Sequence, residues 1–343
     1  MKVLKFGGTS VGSAQRMKEV AKLITDGEQK IVVLSAMSGT TNTLVEISDY
    51  LYKKNPEGAN EIINRLEAKY KQHVNELYST DEYKQKTQEF IKAQFDYIRS
   101  YTKDIFTLFE EKVILAQGEL ISTNMVTNYL QEQGVNAILL PALEFMRTDK
   151  NSEPDPVYIK EKLAAQLEIH PDAEIYITQG FICRNAYGEI DNLQRGGSDY
   201  TASLIGAAVN ASEIQIWTDI DGMHDNDPRI VDKTSPVRHL HFEEAAELAY
   251  FGAKILHPTC VQPAKYANIP VRLLNTMEPT APGTLISNET EKGKIKAVAA
   301  KDNITAIKIK SSRMLLAHGF LRKVFEIFES YQTAIDMVCT SEV

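Results

Sequence analysis

Two short stretches of the sequence combine a cation, a glycine pair and a hydroxyl. In "KFGGTS" Lys5 precedes Gly7 and Gly8, and in "QRGGSD" Arg195 precedes a second glycine pair. Glycines let the backbone approach a ligand closely, and the N–H groups of a turn before a helix point together toward an anion. The two stretches therefore predict two anion sites, although each could also be a tight structural turn with a solvated cation.

The first stretch differs from the two common phosphate-binding motifs. In a Walker P-loop the lysine follows the glycines, whereas Lys5 precedes them, and the spacing of G-x-G-x-x-G is not met. Arg195 suits a planar carboxylate, because a guanidinium can donate two parallel hydrogen bonds to it. Asp199 follows in the first turn of a predicted helix, where its other possible role is to cap that helix.

The stretch "WTDIDGMHDNDPR" joins a strand to a loop rich in aspartate and glycine. Thr218 and Asp219 end the strand, and Arg229 closes the loop, where it could contact a phosphate. Loops at the carboxyl ends of parallel strands are where α/β sheets bind ligands. The spacing of the aspartates is similar to a calcium loop, but the final glutamate of such a loop is absent, which argues against an EF-hand.

Two further stretches contain charged residues whose role is ambiguous. In "FGAKILHP" Lys254 is a candidate nucleotide contact, whereas His257 before a proline favours a structural role. In "AQGELIST" we expect Glu119 to lie in a turn of small residues that opens a helix, where a lone glutamate is usually a helix-start residue.

The elements around these motifs follow the rhythm of a parallel α/β sheet. Strand, loop and helix alternate from the N-terminus, with helix expected at 14–26 and strand at 30–37. Residues 57–112 instead form an amphipathic helical segment with apolar residues three or four apart, and we expect its helices simply to pack on each other and on the domain. Further strands are expected at 136–142, 174–182, 213–220 and 270–276.

Proline and glycine in 279–288, followed by a charged stretch, predict a domain boundary. Beyond it we expect a strand at 304–311, a helix at 320–332 and a strand at 334–343. A strand–helix–strand of this length has too little core to stand alone, and we interpret it as the first half of a small α/β domain.

Composition excludes several classes of protein. The 343 residues carry a net charge of −8, which argues against nucleic acid or an anionic membrane as a general partner. No apolar run approaches the roughly 18 residues of a membrane helix, and there is no signal-peptide pattern. The three cysteines, Cys183, Cys260 and Cys339, are far apart and are expected to be buried reduced thiols in a cytoplasmic protein.

The motifs, taken together and in order, resemble those of the aspartokinases, which belong to the amino acid kinase superfamily. The resemblance runs from residue 3 to about 287 and rests on "KFGGTSVG", "SGTTN", "GEL", "TQGF", "RGGSDYTA", "WTDIDG", "DPR" and "FGAKILHP". It implies transfer of the γ-phosphoryl group of ATP to the β-carboxylate of L-aspartate, the first step toward lysine, threonine and methionine. It also implies a three-layer αβα sandwich with a mainly parallel sheet, plus an incomplete ACT-like βαβ segment.

The resemblance divides the chain into a catalytic domain at 1–288 and a partial ACT regulatory domain at 300–343. An N-terminal lobe would bind aspartate, and a C-terminal lobe from about 190 would bind the nucleotide. Mg²⁺ is expected to be held mainly through the nucleotide phosphates, with no metal site of the protein's own. The full-length protein is expected to form a homo-oligomer through its ACT domains.

The resemblance also assigns roles to individual residues. Lys5 would neutralise the charge that develops during phosphoryl transfer, and Asp199 would orient Lys5. Arg195 would bind the α-carboxylate of aspartate and Glu119 its ammonium group, with Thr41 and Ser198 as further contacts. The residues expected to bind ATP are Lys5, Phe6, Gly7, Gly8, Thr218, Asp219, His224, Arg229 and Lys254. His224 stands where the family often has a tyrosine, and a histidine can also stack on a nucleotide or form a hydrogen bond with it.

The C-terminal part resembles the start of a lysine-sensitive regulatory region. The positions that would begin the effector pocket are Met314, His318, Gly319, Phe320, Leu321, Asp336 and Ser341. The regulatory region of the family continues further, so we expect this pocket to be incomplete and inhibition by lysine to be weak or absent. An exposed edge strand at 334–343 would favour abnormal pairing.

Two other interpretations remain open at this point. A superfamily relative could act on glutamate, acetylglutamate or a nucleoside monophosphate, although the 57–112 segment and "RGGSDYTA" disfavour it. A catalytically silent amino-acid-binding or regulatory subunit would bind its ligand without turnover.

Overall fold

The structure is a computed structural model. It describes residues 1–103, 105–193, 196–228, 230–252, 256–289, 295–310, 318–335 and 337–340. The described chain falls into two compact units, one of residues 1–300 and one of residues 301–343. The assignment of a catalytic domain to 1–288 and a regulatory domain to 300–343 stays a prediction.

The first unit is built on an eight-stranded sheet. Its strands lie in the order β10-β12-β11-β7-β1-β2-β4-β3, and all neighbours are parallel except the pair β11 and β12. The strands are β1 (Lys2–Phe6), β2 (Lys30–Leu34), β3 (Ala137–Leu140), β4 (Ile175–Gln179), β7 (Ile214–Thr218), β10 (His239–His241), β11 (Val271–Asn275) and β12 (Thr284–Ser287). Two small hairpins pair β5 (Ile182–Arg184) with β6 (Ile190–Asn192), and β8 (Met223–His224) with β9 (Pro236–Val237).

Helices cover both faces of this sheet. On one face lie α1 (Ala14–Ile24), α2 (Thr40–Tyr52), α3 (Pro56–Leu77), α4 (Asp81–Ser100) and α5 (Leu108–Glu132). On the other lie α6 (Ala142–Phe145), α7 (Pro156–Ile169), α8 (Gly197–Ala208), α9 (Phe242–Tyr250) and α10 (Gln262–Tyr266). The 3₁₀ turns are Tyr101–Lys103 and Pro258–Val261.

The central strands are buried on both faces, as expected of a parallel sheet between two helical layers. In β1, Leu4 and Phe6 face the α1–α5 layer, whereas Val3 faces the α6–α10 layer. Successive side chains of a strand point to opposite faces, so Lys5 points in the same direction as Val3. The prediction of a three-layer sandwich with a mainly parallel sheet is confirmed, and Lys5 projects toward the layer that contains α8.

The helical segment predicted at 57–112 consists of α3, α4 and the first residues of α5. The five apolar residues that define its periodicity, Ile63, Leu66, Tyr70, Val74 and Leu77, are all buried. The segment is not one continuous helix, because α5 has its own start: Thr107 and Glu110 form a capping box there.

This start of α5 corrects the sequence-based placement of Glu119. The residue lies in the middle of a 25-residue helix and not in a turn that opens one. The small residues before it serve packing, since a Cβ on Gly118 would lie 2.7 Å from the Cβ of Ala36. Small residues at a close contact between elements therefore resemble, in sequence, the small residues of a turn.

The second unit contains α11 (Phe320–Ser330), which confirms the helix expected at 320–332. The strands expected at 304–311 and 334–343 are wrong within the residues that are described there, 304–310, 334–335 and 337–340. Strand conformation depends on backbone hydrogen bonds to a neighbouring strand, and the described residues of this unit offer none.

The expectation that all three cysteines are buried is correct in part. Cys183 and Cys260 are buried free thiols as expected, but Cys339 is exposed. The helices of the described chain include none with the length and apolar character needed to cross a membrane.

Candidate active site

A cleft of about 400 Å³ opens at the carboxyl ends of the central strands β1, β2 and β4. Loops that follow these three strands line it, together with residues from α5 and the start of α8. Its lining residues are Gly8, Ser35, Ala36, Met37, Ser38, Gly39, Thr41, Asn42, Glu119, Phe181, Gly197 and Ser198. Four predicted site residues, Gly8, Thr41, Glu119 and Ser198, are therefore brought into one cleft.

The first glycine turn is packed closely against the loop that follows β2. A Cβ on Gly8 would lie 2.8 Å from the carbonyl oxygen of Ala36, so only glycine fits without a shift of backbone. The N–H of Ser38 donates to the carbonyl of Gly8 at 3.1 Å, and the N–H of Gly7 donates to Trp217 at 3.3 Å. The turn is thus held between the loop that follows β2 and the end of strand β7.

The second glycine turn leads directly into a helix. Gly196 has a φ of 83° and is the N-cap of α8, and Gly197, with a φ of 30°, is its first residue. A Cβ on Gly196 would lie 2.1 Å from the Sγ of Cys260. Glycine is required by the left-handed backbone and by this contact. Arg195, expected to bind a carboxylate, lies outside the described residues.

An ion pair joins the two turns. The Lys5 Nζ lies 2.7 Å from the Asp199 Oδ1, and the lysine is only 8% exposed. Next to this pair, the Ser35 hydroxyl donates to the Ser198 hydroxyl at 2.9 Å. The structure therefore brings Lys5, Asp199 and Ser198 together at the junction of β1, β2 and α8. Asp199 contacts the lysine, a role beyond helix capping.

The start of α2 forms another wall of the cleft. Gly39, with a φ of 81°, is its N-cap, and Thr41 and Asn42 lie in its first turn. The N–H groups of a first helical turn have no acceptors within the helix, so they are suited to donate hydrogen bonds to a ligand oxygen. Thr41 thus lines the cleft from the first turn of this helix.

Glu119 is the charged residue among the described residues that line the cleft. It is 3% exposed, and its Oε1 accepts a hydrogen bond from the Ala36 N–H at 3.2 Å. Its Oε2 has no hydrogen-bond partner within the described part of the chain. Burial raises the pKa of Glu119 to about 8, against the opposing effect of the Ala36 N–H. Once it is ionised, this buried carboxyl group is suited to bind a cationic group of a ligand through its open oxygen.

Phe181 lines the cleft although sequence reasoning assigned it no role. Its φ is 68°, a left-handed conformation that is rare for a bulky residue. Its N–H donates to the Thr201 hydroxyl at 3.0 Å, and its ring lies against Gly197. The available signal was its place two residues after the end of β4, at the same edge of the sheet as the two glycine turns.

The residues expected to bind the nucleotide lie beside the first turn, at the end of β7. Thr218 is the last residue of that strand, and β7 pairs with β1 so that Trp217 is opposite Phe6. Asp219 is exposed, and the His224 Nδ1 lies 2.8 Å from the Thr234 hydroxyl. These residues do not line the 400 Å³ cleft. Arg229 and Lys254 lie outside the described residues.

The expected effector residues fall in the second unit or outside the described chain. Gly319, with a φ of 84°, is the N-cap of α11, and Phe320 and Leu321 are its first residues, with His318 before them. Met314, Asp336 and Ser341 lie outside the described residues. An effector pocket stays a prediction.

Comparison with known proteins agrees with this geometry. The model of the amino acid kinase family matches residues 1–275. The chain is 38% identical to chloroplastic aspartokinase 1 of Arabidopsis thaliana over 99% of its own length, and 35% identical to lysine-sensitive aspartokinase 3 of Escherichia coli K12, also over 99%. The chain belongs to the aspartokinases.

The solved structures extend this relation to three dimensions. The structure superposes on E. coli aspartokinase III, in complex with aspartate and ADP, with a TM-score of 0.83 and 32% sequence identity, over 100% of this chain and 77% of that one. The chain spans 62% of the length of the Arabidopsis aspartokinase and 76% of the length of the E. coli lysine-sensitive aspartokinase 3. Family membership and fold are thus established for the matched part.

Proposed function

We propose that this aspartokinase transfers the γ-phosphoryl group of ATP to the β-carboxylate of L-aspartate, giving 4-phospho-L-aspartate and ADP. The observation that carries the proposal is the open carboxylate oxygen of buried Glu119, which lies in one cleft with the glycine turn that follows Lys5. An amino acid needs such a carboxylate for its ammonium group, and a phosphate needs the cation and the backbone N–H groups. The related E. coli enzyme was crystallised with aspartate and ADP.

Four residues hold the amino acid in this proposal. Glu119 binds the ammonium group through its open oxygen, and Arg195 binds the α-carboxylate. Thr41 and Ser198 line the same cleft and contact the substrate through their hydroxyls. The opposite charges of Glu119 and Arg195 distinguish the ammonium group of the substrate from its α-carboxylate.

The reaction requires no general base. The β-carboxylate is ionised at pH 7, and one of its oxygens attacks the γ-phosphorus while the bond to the bridging oxygen of ADP breaks. Lys5 neutralises the charge on the phosphoryl oxygens during transfer, and Asp199, 2.7 Å away, holds the ammonium group in place. Phe6, Gly7 and Gly8 bring the backbone close to the phosphates.

The rest of the nucleotide lies, in this proposal, along the end of β7. Its proposed contacts are Thr218, Asp219, His224, Arg229 and Lys254. In this proposal Mg²⁺ would be held mainly through the phosphate oxygens of the nucleotide. When bound, the ion neutralises phosphate charge. We also propose a cytoplasmic location and, for the longer protein, a homo-oligomer formed through its regulatory part.

The direct test is ADP release from MgATP in the presence of L-aspartate, with the acyl phosphate trapped by hydroxylamine as the hydroxamate. Matched reactions contain L-glutamate, acetylglutamate or no amino acid. We expect turnover and hydroxamate with aspartate only. A protein that binds aspartate and ATP in calorimetry without turnover would be a silent binding protein. Turnover with glutamate or acetylglutamate alone would assign a different substrate.

A further inference from the structure

We propose that Tyr70, on helix α3, is a positioning residue for the amino-acid half of the cleft. The proposal rests on the proposed function, since it assigns Tyr70 an effect on aspartate binding. Tyr70 belongs to the helical segment for which the sequence indicated packing alone. It does not line the cleft and would act through the start of α2.

The first observation is a buried hydrogen bond between the two helices. The Tyr70 hydroxyl lies 2.9 Å from the Thr40 Oγ1, and either group can donate. Tyr70 is 1% exposed and Thr40 is 1% exposed. Thr40 is the first residue of α2, directly before Thr41, which lines the cleft. The hydroxyl of Tyr70 therefore contacts the side chain of the residue that directly precedes Thr41.

The second observation is that the neighbouring residue of α3 contacts the same loop. The Lys69 Nζ donates to the carbonyl of Ser38 at 3.3 Å, and the N–H of Ser38 donates to the carbonyl of Gly8 at 3.1 Å. One turn of α3 thus contacts the loop on both sides of Gly39, the N-cap of α2. Through Ser38, this contact extends to the first glycine turn.

The third observation is that packing fixes both partners of the hydrogen bond. The Tyr70 ring packs against Phe95 of α4, with ring centroids 5.9 Å apart, inside the core of the α1–α5 layer. On its other side Thr40 is close to α5, where a Cβ on Gly118 would lie 3.3 Å from the Thr40 Cγ2. The position of the Tyr70 hydroxyl is therefore set by α3 and α4, and it limits where the start of α2 can lie.

Small displacements matter here because a substrate held by several groups binds well only when all of them are in register. Thr41 borders the cleft from α2, whereas Glu119 borders it from α5. Loss of the Tyr70 hydroxyl would leave Thr41 and Glu119 intact but would fix the position of Thr41 relative to Glu119 less firmly. The expected consequence is weaker binding of aspartate, with the binding of ATP unchanged.

The test compares Tyr70→Phe with Tyr78→Phe. Both substitutions remove one buried hydroxyl from the same part of the layer, but the Tyr78 hydroxyl donates to the carbonyl of Met125 at 2.7 Å, away from the cleft. For Tyr70→Phe we expect the KM for aspartate to rise about fivefold, as for the loss of one neutral hydrogen bond. The kcat and the KM for ATP should stay within about twofold. For Tyr78→Phe we expect both KM values to stay within about twofold of the unsubstituted chain. The thermal midpoint of unfolding should fall by a similar amount in the two variants, because each loses one buried hydrogen bond.

A double substitution tests whether the effect passes through Thr40. Thr40→Val keeps the shape of the side chain and removes its hydroxyl, so it should raise the aspartate KM as Tyr70→Phe does. The double variant should show about the same KM as either single variant, because the two substitutions remove one interaction. Fully additive effects, or equal KM values for Tyr70→Phe and Tyr78→Phe, would overturn the proposal.

Aspartate affinity measured by calorimetry separates this proposal from the proposed function. If the unsubstituted chain binds aspartate without turnover, the kinase proposal fails. The fivefold effect of Tyr70→Phe is then measured in the dissociation constant for aspartate. If the unsubstituted chain does not bind aspartate at all, both proposals are wrong.

Discussion

The two glycine turns look alike in sequence but are built for different backbone reasons. Gly7 and Gly8 have no left-handed φ, and the second of them is required by its approach to the Ala36 carbonyl. Gly196 and Gly197 both have positive φ and form the start of α8. The first turn uses glycine for close packing of loops, and the second uses it for the conformation that begins a helix.

The turns also differ in the charges that they bring. The first follows Lys5, and the second supplies Asp199 as its partner, so this pair is nearly neutral before any ligand binds. Glu119 has no ion-pair partner among the described residues, and one of its oxygens is open. A charge that is already paired can be held in place for catalysis, whereas an unpaired charge is available to bind substrate.

The largest effect on kcat should come from substitution of Lys5, the cation that precedes the first glycine turn. Lys5→Ala should lower kcat by about 10³-fold, because a group that neutralises charge mainly in the transition state is lost. Lys2→Ala is the matched control on the same strand, since Lys2 forms an exposed pair with Glu28 and should change kcat little. Steady-state kinetics with aspartate and MgATP measures both variants. A Lys5→Ala variant that retains turnover within about tenfold would contradict the proposed role.

The next largest effect should come from Glu119 and should appear in the KM for aspartate. Because the pKa of Glu119 is raised to about 8, its carboxyl group is mostly protonated at neutral pH and must ionise to bind an ammonium group. The KM for aspartate should therefore fall as the pH rises toward about 8, by up to about tenfold per pH unit. Glu119→Gln should raise the KM by about 10- to 100-fold and remove this pH dependence. A pH profile that persists in Glu119→Gln would show that another group titrates.

The smallest effects should separate the reasons for glycine in the two turns. Gly134, which lies in neither turn, is the control for a left-handed φ alone. Gly134→Ala places a side chain at a φ of 79° in open space, so it should cost about 1 kcal/mol of unfolding free energy. Gly196→Ala adds the contact with Cys260 to a similar φ and should cost about 3 kcal/mol. Gly8→Ala should mainly lower kcat, because its clash displaces the loop after β2. Urea unfolding and kinetics on the three variants measure these differences. Equal loss of stability in all three would mean that the two turns do not differ as described.

Much of the site was predictable because its signals are local. Cation, glycine pair and hydroxyl occur together in the chain, and strand–loop–helix alternation placed both turns at the carboxyl edge of a parallel sheet. Glu119 was predicted as a candidate but placed in the wrong local structure, since the capping box at Thr107 was overlooked. Phe181 received no role, because its unusual φ depends on contacts with α8 that no local pattern reveals.

The prediction of strands at 304–311 and 334–343 was wrong for a related reason, since strands also depend on contacts that lie outside the local sequence. An apolar, β-branched stretch favours an extended chain, but a strand exists only with a hydrogen-bonded neighbour. The helix between them was predicted correctly, because a helix makes its hydrogen bonds within itself.

By itself, the sequence determined the α/β layers, the two glycine turns, the family and the identity of Lys5, Asp199 and Glu119 as candidates. The layers and the turns follow from periodicity and from residue types that lie close together in the chain, whereas the family and the candidate roles follow from the resemblance of the ordered motifs. Only the tertiary structure decided that Asp199 pairs with Lys5, that Glu119 is buried with an open oxygen, and that Tyr70 contacts Thr40. Each of these depends on which strands and helices become neighbours, and that order results from packing across the whole sheet rather than from any local pattern.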